Sequence, residues 1–337
     1  MSSGPPNKRP RTDSGPTPLK SQLTRDVEFW FSDGSIILIA GNTLFRVYHG
    51  VLAAHSVVFH DMLQFPHPPS SPSLDGCPTL DLSDSPADLR HLLRVLYPKP
   101  ATRFMRRSAD APVKFEHVSA IVRLSHKYQM DAILKDTMSY LTEYYSNYYH
   151  EWLARDKKPL QVKPLQCIEA VALAHLTGTN TILPTALLEC AMSDGECLFK
   201  GYAREDGTVV MLSSDDIQRC FLGYRELKDL DAISIRTVAR IVGEGEMRTG
   251  CVQPYTCRMV MHAFWGMVHS SATTDGDVLR PWAELLDKYK APGDVGFCGA
   301  CLAVLRGYPS LVSGRAGTWY KLPQIFGVVV PQWNAIS

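Results

Sequence analysis

The sequence predicts an α+β chain: a small β-sheet flanked by helices in the N-terminal part, followed by a mostly α-helical C-terminal region. Three observations predict it. Apolar residues alternate with polar ones from Val27 and continue as short apolar runs to Val47, Gly- and Asn-containing turns divide these into short strands, and from residue 85 onward apolar positions recur at helical spacing.

In order along the chain, Val27, Phe29 and Phe31 alternate with Glu28, Trp30 and Ser32 and run into Asp33-Gly34, which predicts a strand entering a hairpin. Ile36-Ile37-Leu38-Ile39 is the expected return strand. Leu44-Phe45-Arg46-Val47 is a third strand after the turn at Gly41-Asn42. A short helical pattern follows over Val51, Leu52, Ala53 and Ala54. Ser56 then caps a second helix carrying Val58, Phe59, Met62 and Leu63. Four prolines between Phe65 and Ser73 can continue neither a helix nor a central strand, so residues 65–78 read as a Pro-rich insertion, a loop in preference to a recognition segment.

Thr79-Leu80-Asp81-Leu82 is a short strand. Ser85-Pro86-Ala87-Asp88 opens a helix with a hydroxyl cap, a proline in the first turn and an acid. Leu89, Leu92, Leu93 and Leu96 line its inner face and Pro98 stops it. Further helices are signalled by Val118, Ile121 and Val122, and then by Ile133, Leu134, Met138 and Leu141. Past residue 165 the expected inner faces are Ile168, Val171, Ala172 and His175; Ile217, Cys220, Phe221 and Tyr224; Cys257, Val260, Met261, Phe264 and Val268; and Val278, Trp282, Leu285, Leu286 and Tyr289.

Composition narrows the function. The 337 residues accommodate two domains or three small ones, and 45% hydrophobic content is that of a folded protein. Thirty-five Lys+Arg against 34 Asp+Glu leave a net charge of +1, which argues against an electrostatic grip on nucleic acid. There is no apolar run of about 18 residues, so no transmembrane helix is expected and no membrane partner. The first twenty residues lack the apolar stretch of a signal peptide, and the expected location is the nucleus or the cytoplasm. This basic, Pro-rich tail, residues 1–20, is expected to be disordered. Within it Lys8, Arg9 and Arg11 form a compact basic cluster, either a nuclear targeting signal or a solvated tail charge.

Nine cysteines, odd in number and irregular in spacing, suit a reducing compartment in which most are buried thiols. The sharpest chemical candidate lies among them. Cys298-x-x-Cys301 supplies two thiolates at a helix start, and Cys251 and Cys257 supply a second pair. Together they offer a structural Zn²⁺ the four soft ligands it takes, with His262 and His269 in reserve. The competing reading is a set of core thiols, since Cys257 shares an apolar face with Val260, Met261 and Phe264. Redox use of Cys298 and Cys301 lacks the βαβ context it needs.

No nucleophile elbow, His-Glu-x-x-His, phosphate-cradling loop or kinase signature is present, so no catalytic residue is assigned and no enzyme is expected. The tyrosines at 140, 144, 145, 148 and 149 fit a core or an interface, and no arginine lies among residues 138–150 to make a base-stacking surface. Arg103, Arg106 and Arg107 read as a solvated loop.

The first unit resembles a BTB/POZ domain. The residues that carry the resemblance are Asp26-Val27-Glu28-Phe29-Trp30-Phe31-Ser32-Asp33-Gly34, then Phe45-Arg46-Val47-Tyr48-His49 with Val51-Leu52-Ala53 and Ser56, then Phe59 and Met62, then Leu80-Asp81-Leu82 and Leu89 to Tyr97. Tyr48 and His49 stand where the family usually has His and then Lys or Arg. The rest resembles fungal BTB proteins with a helical C-terminal region, on Cys298-x-x-Cys301, the Trp319-to-Gly327 ending, and Cys251 and Cys257 ahead of them. The domain would then occupy residues 21–146 and the helical domain 147–337.

The resemblance implies a dimerisation or scaffold module, and a homodimer as first partner; no cofactor is expected apart from the candidate structural Zn²⁺. Candidate interface residues are Val51, Leu52, Val58, Phe59 and Met62, which composition alone assigns to the core in preference, and Leu19 and Leu23, which precede the first strand and could swap onto a partner. Two functional classes follow: a nuclear regulatory scaffold, and a substrate adaptor for a cullin-type ubiquitin ligase. Cullin-binding members usually carry a hydrophobic-x-Glu element after this helix, and Met62-Leu63-Gln64-Phe65-Pro66 has no Glu, which lowers the cullin reading.

Overall fold

The computed structural model describes residues 23–64, 73–98, 112–243, 250–271, 278–282, 284, 285, 289, 293, 295–307 and 315–333. The chain divides into two units, residues 1–50 with 66–86, and residues 51–65 with 87–337.

The first unit is a five-stranded sheet of β1 (Thr24–Trp30), β2 (Ile36–Ala40), β3 (Thr43–Val47), β4 (Ser73–Leu74) and β5 (Cys77–Leu82) in the order β1-β3-β2-β5-β4. β2 and β3 form an antiparallel hairpin through Gly41, whose φ of +54° suits a residue without a Cβ. The expected hairpin between β1 and β2 is not there. β1 pairs with β3 instead, in parallel, and the Asp33-Gly34 turn carries the chain around the end of β3, where the Phe31 N–H donates to the Arg46 carbonyl and the Ser35 N–H to that of Val47. A tight turn signals a change of direction, and the pairing partner is set by burial on the sheet.

The alternation expected along β1 also fails, for a local reason. Asp26 is buried and its carboxylate accepts the N–H groups of Glu28 (2.9 Å) and Phe29 (2.8 Å), which shifts the register against β3 and turns Val27 fully to solvent. Residues 73–78, inside the stretch read as the Pro-rich insertion, form β4 and the start of β5. Asp75 and Gly76 both have positive φ, the Asp-Gly combination that a two-residue hairpin requires. Ile37, Leu44 and Cys77 are buried together at the heart of this unit.

Two short helices, α1 (His49–His55) and α2 (Val57–Gln64), follow the hairpin. As expected, Ser56 caps α2: its hydroxyl accepts the Phe59 N–H (3.0 Å) and donates to the Tyr128 carbonyl (2.6 Å). Among the described residues, the other α-helices of the second unit are α3 (Pro86–Leu96), α4 (Phe115–Lys127), α5 (Asp131–Tyr144), α6 (Tyr149–Leu153), α7 (Gln166–Thr177), α8 (Leu183–Met192), α9 (Gly195–Lys200), α10 (Ser214–Gly243), α11 (Pro254–Ser271), α12 (Gly299–Gly307) and α13 (Ala316–Ile325). Two-stranded pairs join Val113–Lys114 to Leu160–Gln161 and Tyr202–Ala203 to Val209–Val210.

One hydrophobic core runs from Phe115 to Phe326, with α7 at its centre. α7 is buried on nearly every side instead of along the one face its sequence suggested: Gln166, Cys167, Ile168, Glu169, Ala170, Val171, Leu173 and Ala174 are all inside, whereas His175 is half exposed. Four of the five clustered tyrosines, 140, 144, 145 and 149, join this core, and Tyr148 stays outside. The sequence reading of α10 is off by a rotation. Its buried stripe is Asp216, Cys220, Gly223, Leu227, Asp231 and Ile235, and Phe221 and Tyr224 face solvent. Asp216 is held inside by His175 (3.0 Å), Arg219 (2.9 Å) and Ser213 (2.7 Å), and Gly223 leaves room for the Phe326 ring, so polar and small residues occupy positions that an apolar count passes over.

The histidines of α3 and α4 give a pH prediction. His91 and His117 stack with ring centroids 4.2 Å apart, among Arg94, Lys114, Asp88 and Glu205. Burial, and then the His91 ring, hold His117 down to about 4; burial and Arg94 lower His91 as well, against Glu205. The unfolded chain thus binds more protons than the folded one between the ordinary value of 6.5 and about 4, and stability falls as the pH drops through that window. Thermal melts are expected to show this decline, and His117→Phe to flatten it. A wild-type melting temperature constant over the window would contradict it.

Candidate functional site

The candidate chemical site is built at two helix starts. Cys251 precedes α11 and Cys257 lies in its first turn, while Cys298 immediately precedes α12 and Cys301 lies in its first turn. The four sulfur atoms lie within 4.8 Å of one another, and Cys251 Sγ and Cys298 Sγ are 3.9 Å apart. A tetrahedral zinc with Zn–S bonds of about 2.3 Å separates its sulfurs by about 3.8 Å, near enough to this spacing for the four to be able to hold one ion. A disulfide needs an S–S distance of about 2.05 Å, and all four are free thiols.

The backbone prepares these sulfurs for negative charge. The Cys298 N–H donates to Cys257 Sγ (3.4 Å), and the N–H groups of Cys301 and Val252 donate to the Cys298 sulfur, bringing that thiol down to about 6. Burial pushes the Cys257 and Cys301 thiols up, the opposite direction. Cys298 is thus poised as a thiolate at neutral pH, whereas Cys257 and Cys301 keep their protons unless a cation displaces them. Ile235, Val260, Met261, Phe264, Trp282, Phe297 and Leu305 form an apolar cluster with Cys257 and Cys301, against which the partly exposed Cys251 and Cys298 pack. The structure thus brings together the four cysteines named from sequence. Of the reserve ligands, His262 is exposed and not part of the four-residue group, and the His269 side chain lies outside the described residues.

The candidate interface residues separate into two sets. Leu52 and Phe59 are fully buried and belong to the core, whereas Val51, Val58 and Met62 are half-buried. Leu23 is half exposed at the start of β1. Leu19 and the cluster Lys8, Arg9 and Arg11 lie outside the described residues, as do Arg103, Arg106 and Arg107. Val57 on α2 is an exposed apolar side chain too, and so is Val27 on β1, which strand alternation had placed with the inward-facing Phe29. β1 is the edge of its sheet, bonded on one side to β3. Among the described residues, no helix is long and apolar enough to cross a membrane.

Comparison with known proteins agrees with this architecture. Residues 31–145 match the family model of the BTB/POZ domain, a span that opens at the end of the first strand and closes just after α5. No curated protein matches the chain. The N-terminal part is therefore a BTB/POZ domain, with its curled sheet and helices, and the chain beyond it is helical. A BTB/POZ domain is, in general, a protein–protein interaction module.

Proposed function

We propose, taking the BTB/POZ domain at residues 31–145 as the premise, that this chain is a non-enzymatic scaffold that pairs with a second copy of itself through that domain, and that a structural Zn²⁺ bound by Cys251, Cys257, Cys298 and Cys301 holds its C-terminal helices. The observation that carries the pairing is β1. Among the described residues β1 stands at the edge of its sheet and turns Val27 outward, a position from which a sheet is extended by a second strand, and Leu23 adds to the same apolar edge. In the second unit, and considered by itself, α2 exposes Val57 and leaves Val58 and Met62 half-buried.

Light scattering on the purified chain is expected to give a mass at least twice 37.5 kDa at micromolar concentration. Leu23→Asp with Val27→Asp, both at exposed positions, is expected to lower that mass with the fold intact by circular dichroism. A 37.5 kDa species for the wild type would overturn the proposal.

The Lys8, Arg9 and Arg11 cluster supports a nuclear site of action, read out by microscopy of a tagged chain with and without that cluster. The missing Glu after Met62 keeps the cullin adaptor as the second reading. Recovery of a cullin on the wild-type chain in a pull-down would reverse the order.

A further inference from the structure

We infer that the outward face of α10 is a self-complementary surface that docks antiparallel onto α10 of a second copy of this chain. The interface is distinct from the pairing assigned to the BTB/POZ domain and does not depend on it.

With Asp216, Cys220, Gly223, Leu227, Asp231 and Ile235 turned inward, the rotation of 100° per residue turns Gln218, Leu222, Arg225, Asp229, Ile233 and Arg236 outward. These recur at intervals of three and four residues, the spacing of a coiled-coil seam. Leu222 is 53% and Ile233 57% exposed, although both are large and apolar. Phe221, 49% exposed, lies 6.0 Å ring to ring from the exposed Phe199 of α9 and widens the patch. A groove of about 520 Å³ runs beside this face, walled by Arg219, Leu222, Arg225, Glu226 and Asp229 on one side and by Gln324–Gly327 at the end of α13 on the other. It gives a partner's side chains a place to enter.

The order of residues names the occupant. Arg225 and Asp229 stand two residues either side of Leu227, Leu222 and Ala232 five either side, and Gln218 and Arg236 nine either side. In an antiparallel pair centred on Leu227, each residue lies level with the one the same number of steps beyond the centre on the other helix. Arg225 of each copy then meets Asp229 of the other, twice. Leu222 meets Ala232 and, one residue further, Ile233. A parallel pair would set Arg225 against Arg225 and Asp229 against Asp229, which disfavours it. The charge pattern is therefore complementary to its own reverse, as an isologous interface requires. A chain carrying two different isologous interfaces extends beyond a dimer, so the expected assembly of the wild type is larger than two copies.

The test uses the whole chain and reverses charges on the exposed face. Arg225→Asp alone places carboxylates at both positions, and Asp229→Arg alone places guanidinium groups at both. Each is expected to weaken association through this face roughly a hundredfold, the scale of two like-charge juxtapositions, and to lower the light-scattering mass. Mixing the two variants restores matched charges across the pair and is expected to return the mass, as is the double variant carrying both changes. Mass unchanged in either single variant overturns the inference. So does a loss that mixing fails to restore, which would assign the face to a different partner. Leu23→Asp with Val27→Asp separates the two interfaces: if it leaves the mass unchanged while the charge reversals lower it, the BTB pairing fails and this one stands.

Discussion

The purified chain is expected to carry about one equivalent of zinc, and removal of that zinc is expected to produce the largest single loss of stability available to the C-terminal helices. Structural zinc contributes an apparent ~10–16 kcal/mol to small domains that have little else to hold them. Here part of the role is shared, because Trp282, Phe264, Val260 and Leu305 pack around the sulfurs. The loss should be smaller than in an isolated zinc finger and confined to this region. At roughly 2–4 °C per kcal/mol, forfeiting about 5 kcal/mol lowers the corresponding melting transition by at least about 10 °C. Amide exchange is expected to quicken in α11 and α12 on chelation and to stay slow in α4, α7 and α8, which belong to the separate core around Val118, Ile168 and Leu187.

A matched pair of substitutions separates metal ligation from ordinary thiol packing. Cys301→Ser and Cys220→Ser each replace a cysteine about 1% exposed by a smaller, more polar residue, and only Cys301 lies in the four-sulfur group. Both should destabilise, and only Cys301→Ser should also release the metal. Purified protein without zinc, melting identically with and without chelator, would return all four residues to the role of core thiols.

Which parts of this structure could be read from sequence follows from how locally each is determined. The Ser56 cap, the helix starting at Pro86 and the short strand ending at Leu82 depend on neighbouring residues, and the structure has them where the sequence places them. The partner of β1 was not legible, because parallel pairing with β3 is decided by what the whole sheet buries. Nor was the outward turn of Val27, which follows from one buried carboxylate, Asp26, bonding the next two amides but one. α10 was rotated in the sequence reading because Asp216, Gly223 and Asp231 line its inner face, and each owes its place to a distant partner: His175, Phe326 and Arg315. The metal candidate was legible as cysteine pairs. Their convergence to a spacing able to hold one ion was not, since 40 residues separate Cys257 from the next cysteine, Cys298. Sequence spacing brings a pair of ligands together only within a turn or two.

Glu169→Gln is the second large effect, and it tests why an acid sits in the middle of a helix buried all round. The Glu169 carboxylate is fully buried and accepts from Arg204 at Nη2 (2.9 Å) and Nε (3.1 Å), from Arg123 and from the Ser119 hydroxyl. Arg123 in turn bonds Asp88 of α3 (2.7 Å), so one anion ties α3, α4 and the hairpin of Tyr202–Ala203 with Val209–Val210 to α7. Removing the charge and keeping the shape leaves two guanidinium groups facing a neutral amide in a low-dielectric site, which costs about 3–5 kcal/mol where both partners are sealed from water. Here Arg204 is 23% and Arg123 16% exposed, and each recovers some hydration, which places the expected loss near the lower bound, about 3 kcal/mol. Lys163→Ala is the control, since its ion pair with Glu116 (2.8 Å) holds a lysine that is 72% exposed and screened by water, and should contribute little. Replacing the whole cluster by apolar residues should recover part of the loss, because the penalty of Glu169→Gln lies in desolvated guanidinium groups that lose their carboxylate, Arg204 above all since Arg123 keeps Asp88. Denaturant midpoints for these variants decide the matter. A Glu169→Gln loss no larger than that of Lys163→Ala would show that water reaches this carboxylate and that the buried network is not what fastens α7 to its neighbours.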